Sequence, residues 1–474
     1  MSDHLSSADT AWLHMDRPTN LMVINSLLLF DEAVDWGRVK QITQRRLVDR
    51  YPRFRQRVIE SRLPLRTPRW EDDPDYALEH HMHHIALPAP GDDRALQELL
   101  GDLMTMPLDR NRPLWQTYLV DGYGAGAAMI CRMHHCIADG IALAQVMLSL
   151  TDSGPQDEAE APAVAGPRAR RGGLLGAAAS SAEAAVTLAG RIASETLRQA
   201  GEIVLYPPHA NRLAGALARD AATAVRLVLT PADAATAIKG DPGISRRVAW
   251  TKPLRLSEIK RIAHAQKATV NDVLLAAVSG ALRHYLQDRG SAVAEIQAMV
   301  PFNLRSLDEP VPQALGNKFG MVFLPLPVGV SGSYRRLVEV HKRMTEIKQG
   351  RDGPVSYSML SLFGRTPEPF ERRIIDTFSG KGTAVMTNVP GPKKPVYLAG
   401  TPVRTVLFWA PTSGHIGMSV SIFSYRGEVT VGLMVDAALI PDPEQIVTQL
   451  ERELKALGRL SRRPQHKAPK LVPA

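Results

Sequence analysis

A short segment between a buried strand and a helix constrains this chain more than any other feature. The segment reads MHHCIADGI over residues 133–141. The apolar run Ala127–Met133 before it has the length of a strand, and Ile141–Leu150 after it has a helical pattern of apolar residues. His134, His135 and Asp139 are therefore predicted to lie at the end of a buried strand, on the turn into a helix.

These residue types in this place indicate acid–base chemistry. A neutral imidazole, with a reference pKa of about 6.5, can accept a proton near pH 7. A hydroxyl nucleophile needs such a base beside it. Asp139 could hydrogen-bond His135 or pair with an arginine and hold the loop in shape, and Gly140 is expected to give the turn backbone freedom. A pair of satisfied core histidines is disfavoured because strand, doublet, turn and helix occur together.

Composition excludes several classes of protein. The 474 residues are 45% apolar and 22% charged, which is the range of a globular chain with a large core. Aromatic residues make up only 5%, which argues against a binder of single-stranded nucleic acid. Two cysteines cannot form a disulfide framework or a multi-cysteine zinc site. We therefore expect a reducing, cytoplasmic location, and find neither a targeting segment nor a membrane-spanning one.

Composition also divides the chain into four regions. Residues 1–150 and 244–458 have mixed helix and strand patterns. Residues 151–243 are rich in alanine and are predicted to be a helical crossover between the two. Residues 459–474 contain five basic residues and no acidic one, and are predicted to be a disordered tail. Without these five charges the formal net charge of +9 falls to +4.

Three elements can be predicted from local signals. Asp442 and Pro443 are typical of a helix start, and Gly458 is the expected stop. Asn271 is predicted to cap a second helix. The strands of a predicted hairpin are Met418–Tyr425 and Glu428–Val435.

The pattern HHxxxDG at residues 134–140 is the signature of the CoA-dependent acyltransferase superfamily. Six further blocks occur in the expected order, so the chain resembles the bacterial wax ester synthase/diacylglycerol acyltransferase family over nearly its whole length. These blocks are Ser7–Trp12 with Pro18–Met22, Leu78–His81 with Leu87–Gly91, Pro113-Leu114-Trp115, Asn271-Asp272, Val300–Arg305 with Gly316-Asn317, and Thr387–Pro392.

The resemblance implies an α/β fold of two chloramphenicol-acetyltransferase-like halves, joined by a long helical crossover, with a tunnel between them. Acyl-CoA would enter from one face and the acceptor alcohol from the other. His135, next to His134, would be the general base, and the alkoxide would attack the thioester without an acyl-enzyme. The imidazolium would then protonate the leaving thiol, whose pKa is about 8.5.

The resemblance also assigns supporting residues. Asp139 would be structural and salt-bridged to Arg305. Thr387 or Asn388 would donate hydrogen bonds to the tetrahedral oxyanion. The remaining residues expected in substrate binding or structural support are Gly140, Trp115, Asn271 and Asp272. Neither a metal nor a cofactor is expected, since acyl-CoA is a substrate.

The implied acceptor is a long-chain alcohol or a diacylglycerol. Two alternatives stay open: a condensation-type enzyme that takes the acyl group from a carrier protein, and a non-catalytic lipid-surface protein. No nucleic-acid partner is expected, and the chain is expected to be a monomer or a homodimer. Peripheral contact with the inner membrane or lipid droplets fits the basic stretch Arg38–Arg57, although a solvated helix face explains that stretch equally well.

Three weaker signals favour structural explanations. The glycines of residues 122–126 are predicted to form a hairpin turn and not a dinucleotide loop, because an apolar strand follows them. The histidines of residues 80–84 lie in a segment that looks extended, which disfavours a metal site. Cys136 is expected to be a small buried residue and not a nucleophile.

Overall fold

The computed structural model describes residues 3–60, 67–155, 231–303, 315–317, 319–350, 356 and 376–461. Most of the predicted crossover, the end of the basic tail and Arg305 lie outside these residues. In the described part, strands form three sheets, two of them large and mixed in strand direction. The predicted α/β class is confirmed.

Both halves of the chain contain helices and strands. The helices are α1 (Ser7–His14), α2 (Trp36–Thr43), α3 (Asp93–Thr105), α4 (Gly140–Leu148), α5 (Leu256–Ala265), α6 (Val270–Asp288), α7 (Ser333–Gln349) and α8 (Pro443–Leu460), with short helical turns at Gln44–Val48, Pro52–Phe54 and Leu78–His80. The strands are β1 (Asp3–His4), β2 (Val23–Phe30), β3 (Gln56–Ile59), β4 (Arg69–Asp72), β5 (Met82–Ala86), β6 (Trp115–Tyr123), β7 (Gly126–His134), β8 (Arg246–Trp250), β9 (Leu254–Arg255), β10 (Ile296–Asn303), β11 (Phe319–Leu326), β12 (Ala384–Pro390), β13 (Tyr397–Leu398), β14 (Thr401–Trp409), β15 (Met418–Tyr425) and β16 (Glu428–Asp436).

The first large sheet has the strand order β13-β14-β2-β7-β6-β5. All nine residues of β7 are buried, which is typical of a strand covered on both faces and explains its unbroken apolar pattern. Its neighbours β2 and β6 are both antiparallel to it, and β6 reaches it through the predicted tight turn at Gly124. The end of β7 therefore lies in the middle of a sheet.

Strand β14 comes from the C-terminal part of the chain but joins this first sheet. It pairs with β2, with Leu407 opposite Leu27 and Trp409 opposite Asn25. The two halves therefore share a sheet in addition to packing against each other.

The second large sheet has the order β11-β10-β12-β15-β16-β8, with β9 paired to β16. β12 is parallel to both β10 and β15, while β15 and β16 form the predicted hairpin. Helices α6, α7 and α8 pack together beside this sheet and share one apolar cluster with it. The sheet is consequently covered by helices, as in other α/β folds.

Another apolar cluster joins the halves, with Leu100 of α3, Val248 of β8 and Leu407 of β14 among its members. The approach is close at Gly101 of α3, where an added Cβ would lie 2.7 Å from the carbonyl oxygen of Arg246. Any larger residue would push the helix away from β8.

Two predicted helix boundaries are wrong. Thr269, and not Asn271, is the N-cap of α6: its side chain accepts from the backbone N–H of Asp272, and the Asp272 carboxylate accepts from Thr269 N–H. The helix that begins at Pro443 continues through Gly458 to Leu460, because one glycine costs only about 1 kcal/mol in a well-packed helix.

The basic stretch Arg38–Arg57 is used largely inside the protein. Arg46 pairs with the buried Asp152 at 2.8 Å, and Arg53 pairs with Asp3 and lies over the Trp70 ring. Arg57 pairs with Glu71 at 3.1 Å. Of the eight basic residues in the stretch, Arg45 is exposed, Arg53 is buried and the other six are half-buried.

None of the helices in the described part of the chain combines the length and the apolar character needed to cross a membrane.

Candidate active site

A cavity of about 200 Å³ lies between the two large sheets. Residues from α1, the β7–α4 turn, β10, β11, β12 and β14 all contribute to its wall. The wall is mostly apolar. Its residues include Trp12, Met15, Ile24, His135, Asp139, Gly140, Ile141, Met299, Phe319, Met321, Phe323, Thr387, Asn388, Phe408 and Trp409. The site thus depends on both halves of the chain.

His135 lies on this wall just after the end of β7 and is only 4% exposed. Its backbone N–H donates to the carbonyl of Met22 at 2.7 Å, which fixes the first residue of the turn against β2. The imidazole stacks on Trp12, with ring centroids 4.0 Å apart and planes 14° apart, and Phe319 lies 5.5 Å away. Burial in this apolar setting lowers the pKa of His135 to about 3, so the ring is neutral at physiological pH.

Asn317 holds the backbone of His135 from the other half of the chain. Its amide nitrogen donates to the His135 carbonyl at 2.8 Å and to the Asp9 carboxylate at 2.7 Å. Asp9 also accepts from the Asn317 backbone N–H at 3.0 Å and from the Ser6 hydroxyl at 2.6 Å. Burial raises the pKa of Asp9 although these hydrogen bonds oppose the rise. The turn is thereby tied to α1 through one asparagine.

His134 points away from this arrangement and has a structural environment. Its Nδ1 accepts from the backbone N–H of Cys136 at 3.1 Å, so the neutral ring carries its proton on Nε2. That nitrogen is 3.8 Å from the Asp16 carboxylate, which Arg110 approaches to 3.2 Å. Burial opposes ionisation of Asp16, but the His134 contact and the other partners outweigh it and lower the pKa of Asp16 overall.

Asp139 is the N-cap of α4, and its carboxylate accepts from the backbone N–H of Ala142 at 2.9 Å. This geometry supports a structural role, while its predicted partner Arg305 lies outside the described residues. Gly140 lines the cavity, but it is the first residue of a regular helix and does not have a positive φ. The expectation that the turn needs its backbone freedom is wrong, since an added Cβ would make only ordinary contact with Ile24 at 3.9 Å.

The predicted residues of the second half separate into two groups. Thr387 and Asn388 line the cavity, and Asn388 donates to the side-chain oxygen of Asn271 at 2.9 Å. Asp272 is instead buried at the start of α6, where it also accepts from Nδ1 of His341 at 2.8 Å. Asn271 therefore supports the cavity wall, and Asp272 holds α6 to α7.

Trp115 does not line the cavity. It is fully buried, donates its indole N–H to the Phe54 carbonyl at 2.8 Å, and stacks on His81 with centroids 4.8 Å apart. His81 is one of the histidines of residues 80–84 for which a metal site was considered above. In the part of the chain that the structure describes, no group of three or more His, Cys, Asp or Glu side chains could hold a metal ion.

Three residues of the site were not predicted to have a role there: Asp9, Trp12 and Asn317. All three belong to sequence blocks that carry the family resemblance, yet no local pattern shows that they meet. Asn317 is 182 residues from the histidine whose carbonyl it binds. Co-variation between these positions is the signal that could have found them.

Comparisons with known proteins identify the family of this chain. Residues 5–274 match the model of the wax ester synthase/diacylglycerol acyltransferase catalytic domain, and residues 315–458 match that of the C-terminal domain of the same enzymes. The chain belongs to this family. It is therefore an acyltransferase, and the family and the class of enzyme predicted from the sequence are confirmed.

Individual relatives cover nearly the whole chain. A probable diacylglycerol O-acyltransferase of Mycobacterium tuberculosis, tgs1, is 28% identical over 481 residues, which is 97% of each chain. A putative diacylglycerol O-acyltransferase of Mycobacterium bovis is 28% identical over 465 residues, covering 96% of this chain and 98% of its own.

Solved structures show the same fold. The wax ester synthase/diacylglycerol acyltransferase of Marinobacter aquaeolei VT8 is 21% identical, with a TM-score of 0.67 over 97% of this chain and 99% of that one. The first condensation domain of the calcium-dependent antibiotic synthetase has a TM-score of 0.60 at 15% identity, over 97% and 96% of the two chains. The predicted architecture of two chloramphenicol-acetyltransferase-like halves is confirmed.

Proposed function

We propose that this acyltransferase moves a fatty acyl group from acyl-CoA to the hydroxyl of a long-chain alcohol or a diacylglycerol, forming a wax ester or a triacylglycerol. The observation that carries the proposal is the buried, neutral imidazole of His135 on the wall of an apolar cavity between the halves. The names of the relatives support the acceptor class.

The cavity wall suits two aliphatic substrates. Met299, Met321 and Phe323 line one side, and Phe408 and Trp409 line another. Such a wall can bury acyl chains at about 25 cal/mol for each Å² of apolar surface removed from water. It also excludes water, which would otherwise compete with the alcohol for the thioester.

His135 would act as the general base. Its lone pair takes the proton of the acceptor hydroxyl while the oxygen attacks the thioester carbonyl carbon. A pKa of about 3 leaves the ring unprotonated but makes it a weak base, so the proton moves only as the carbon–oxygen bond forms, and the resulting imidazolium is short-lived. The proton then passes to the departing thiolate of CoA, a much stronger base with a pKa of about 8.5.

Neighbouring residues would support this reaction without forming a covalent intermediate. Burial raises the pKa of the adjacent Cys136 thiol well above its ordinary value, so a thiolate nucleophile there is disfavoured. Thr387 and Asn388 are proposed as oxyanion donors, and Asp139 as the residue that shapes the turn, with Arg305 as its partner.

Peripheral contact with a membrane or lipid droplet, and a monomeric or homodimeric state, stay predictions.

The test is release of CoA from a matrix of acyl-CoA donors against long-chain alcohols and diacylglycerols. We expect turnover with at least one acceptor class, and a loss of about 10²–10⁴ in kcat for His135→Gln, which keeps the size of the side chain but removes the base. Full activity of that variant would refute His135 as the base.

Two further arms address the alternatives. His83→Gln is the matched control, because His83 stacks on Tyr118 and does not line the cavity. It should retain the activity of the wild type. An acylated carrier protein replaces acyl-CoA in the second arm, and turnover with that donor alone would indicate a condensation-type enzyme. Lipid-surface binding with no turnover on any acceptor would indicate a non-catalytic protein.

A further inference from the structure

The cavity between the two large sheets reaches solvent at the end of β12. Thr387, Asn388 and Val389 of this strand all line the cavity, and Asn388 is at the same time an exposed residue. Its amide nitrogen donates to the side-chain oxygen of Asn271, at the start of α6, at 2.9 Å. Two amide side chains therefore form the rim of the cavity at this end.

Positive charge lies just beyond this rim. Lys393 and Lys394 follow the end of β12 closely and are both exposed. Arg426, at the tip of the β15–β16 hairpin, is also exposed, and its backbone N–H donates to the carbonyl of Pro392 at 2.9 Å, which places it beside the lysines. We call these three residues the basic patch. Their side chains form neither an ion pair nor a hydrogen bond with any residue that the structure describes.

Cations near another polar part of the cavity wall are in a different situation. Ser379 lines the cavity, and its hydroxyl donates to the carbonyl of Asp376 at 3.1 Å. The Asp376 carboxylate pairs with Arg17 at 2.8 Å. Lys381, two residues after Ser379, is only 4% exposed. One of these cations is thus paired with an acid and the other is buried, whereas the basic patch presents its charge to solvent.

We propose that the basic patch binds the phosphate groups of CoA, and that the pantetheine arm passes the rim formed by Asn271 and Asn388. This inference rests on the proposed function and assigns one end of the cavity to the acyl donor. The chemical groups along this path follow the order of those in acyl-CoA. An apolar cavity takes the acyl chain, His135 lies at the thioester, amide side chains meet the pantetheine amides, and cations meet the phosphates.

The position and rigidity of the patch suit this role. Four residues separate the cavity-lining Val389 from Lys393, and a chain of that length spans at most about 14 Å. An extended pantetheine arm, with two amides joined by short alkyl links, covers a comparable length. Between them, Gly391 donates its N–H to the Ser424 carbonyl at 2.8 Å, which holds the segment that carries the lysines against β15.

The test measures steady-state kinetics with two donors that differ in their phosphates. The variant Lys393→Gln/Lys394→Gln/Arg426→Gln removes the charges at exposed positions, where substitution seldom disturbs folding. With acyl-CoA we expect kcat/KM to fall by about tenfold, through KM, because several exposed ion pairs are lost. With S-acyl-pantetheine, which carries the same acyl group and no phosphate, the variant and the wild type should have the same kcat/KM.

A matched variant separates a local contact from an effect of net charge. Arg94→Gln/Arg335→Gln/Lys348→Gln removes the same number of charges from exposed positions of α3 and α7 that do not line the cavity. Helix α7 packs against β11, at the opposite edge of the second sheet from β8. This variant should keep the wild-type KM for both donors. A KM for acyl-CoA that rises as much as in the patch variant would overturn the proposal.

Lipid headgroups also carry phosphate, so a further arm distinguishes the two sources. The bound fraction in sedimentation with phosphatidylglycerol vesicles should be the same for the wild type and the patch variant. Loss of vesicle binding in the patch variant, with an unchanged KM for acyl-CoA, would assign the patch to a lipid surface and overturn the CoA site.

The outcomes separate this proposal from the function on which it rests. Turnover of acyl-CoA with an unchanged KM in the patch variant would overturn the phosphate site and leave the proposed function intact. A wild type without turnover of acyl-CoA would instead refute the proposed function, and calorimetric titration with CoA itself would then test the patch. Binding about tenfold weaker in the patch variant would support the site, while equal affinities or no binding would overturn it.

Discussion

The environment of His135 determines both its reactivity and its cost to stability. Trp12 on its face, the turn held by Asn317 and the apolar wall together exclude water from the ring. Desolvation destabilises the imidazolium, and this is why the pKa of His135 falls to about 3 from an ordinary value of about 6.5. A group of this kind stays neutral in the folded protein and binds a proton readily when the chain unfolds.

Stability should therefore depend on pH through His135. At pH values between the folded and unfolded pKa of His135, the unfolded state binds more protons than the folded state. The contribution of the neutral His135 to the unfolding free energy is therefore complete above about pH 6.5 and is lost as the pH falls. From pH 7 to pH 5 the wild type should lose about 2 kcal/mol more of its unfolding free energy than His135→Gln, which has no proton to gain.

Urea unfolding curves at both pH values measure this difference. Asp9, whose raised pKa has the opposite effect, is present in both proteins and cancels. Identical pH dependence of the two proteins would mean that His135 titrates normally in the folded state.

At the scale of elements, two adjacent residues at the start of α6 have different roles. Asn271 supports the cavity wall, and Asp272 stabilises the helix. Asn271 contacts Asn388 of the wall, while the 1%-exposed Asp272 accepts from Thr269 N–H and from His341 of α7. Asp272→Ala should lower the unfolding free energy by about 1–3 kcal/mol, because a cap is lost and buried partners lose their acceptor.

Chemical denaturation of this variant measures the loss. Asp288→Ala, at the exposed other end of the same helix, is the control and should stay within about 0.5 kcal/mol of wild type. An equal effect of the two variants would show that the Asp272 contacts contribute nothing.

Local sequence patterns correctly predicted those elements whose apolar and turn residues lie close together in the chain. The strand before His134, the helix after Asp139 and the hairpin of β15 and β16 follow from apolar periodicity and turn residues within about ten positions. Thr269 was missed because Asn271 is also a good capping residue, and only the backbone shows which side chain precedes the first helical turn. Asn317 could not be found in this way, because its contacts to Asp9 and His135 join distant parts of the chain.

At the scale of the molecule, β14 makes the two halves interdependent. Its residues are typical of a strand, but strand periodicity does not specify which sheet a strand joins. Here it pairs with β2 in the first sheet, and Leu407 packs in the apolar cluster that also contains Val248 and Met434 of the second. Composition predicts that residues 151–243 separate two halves. Strand β14 belongs to the C-terminal half by sequence but pairs in the sheet of the N-terminal half.

The described halves should consequently unfold as one cooperative unit. Differential scanning calorimetry should show a single main transition whose calorimetric and van't Hoff enthalpies agree. Leu407→Ala, at a fully buried position of β14, should shift that whole transition downward, since a large-to-small core substitution costs about 2–5 kcal/mol. Leu324→Ala, equally buried in the second half, is the matched control and should shift the same transition. Two separated transitions, with each variant moving only one of them, would show that the halves are independent and that β14 does not couple them.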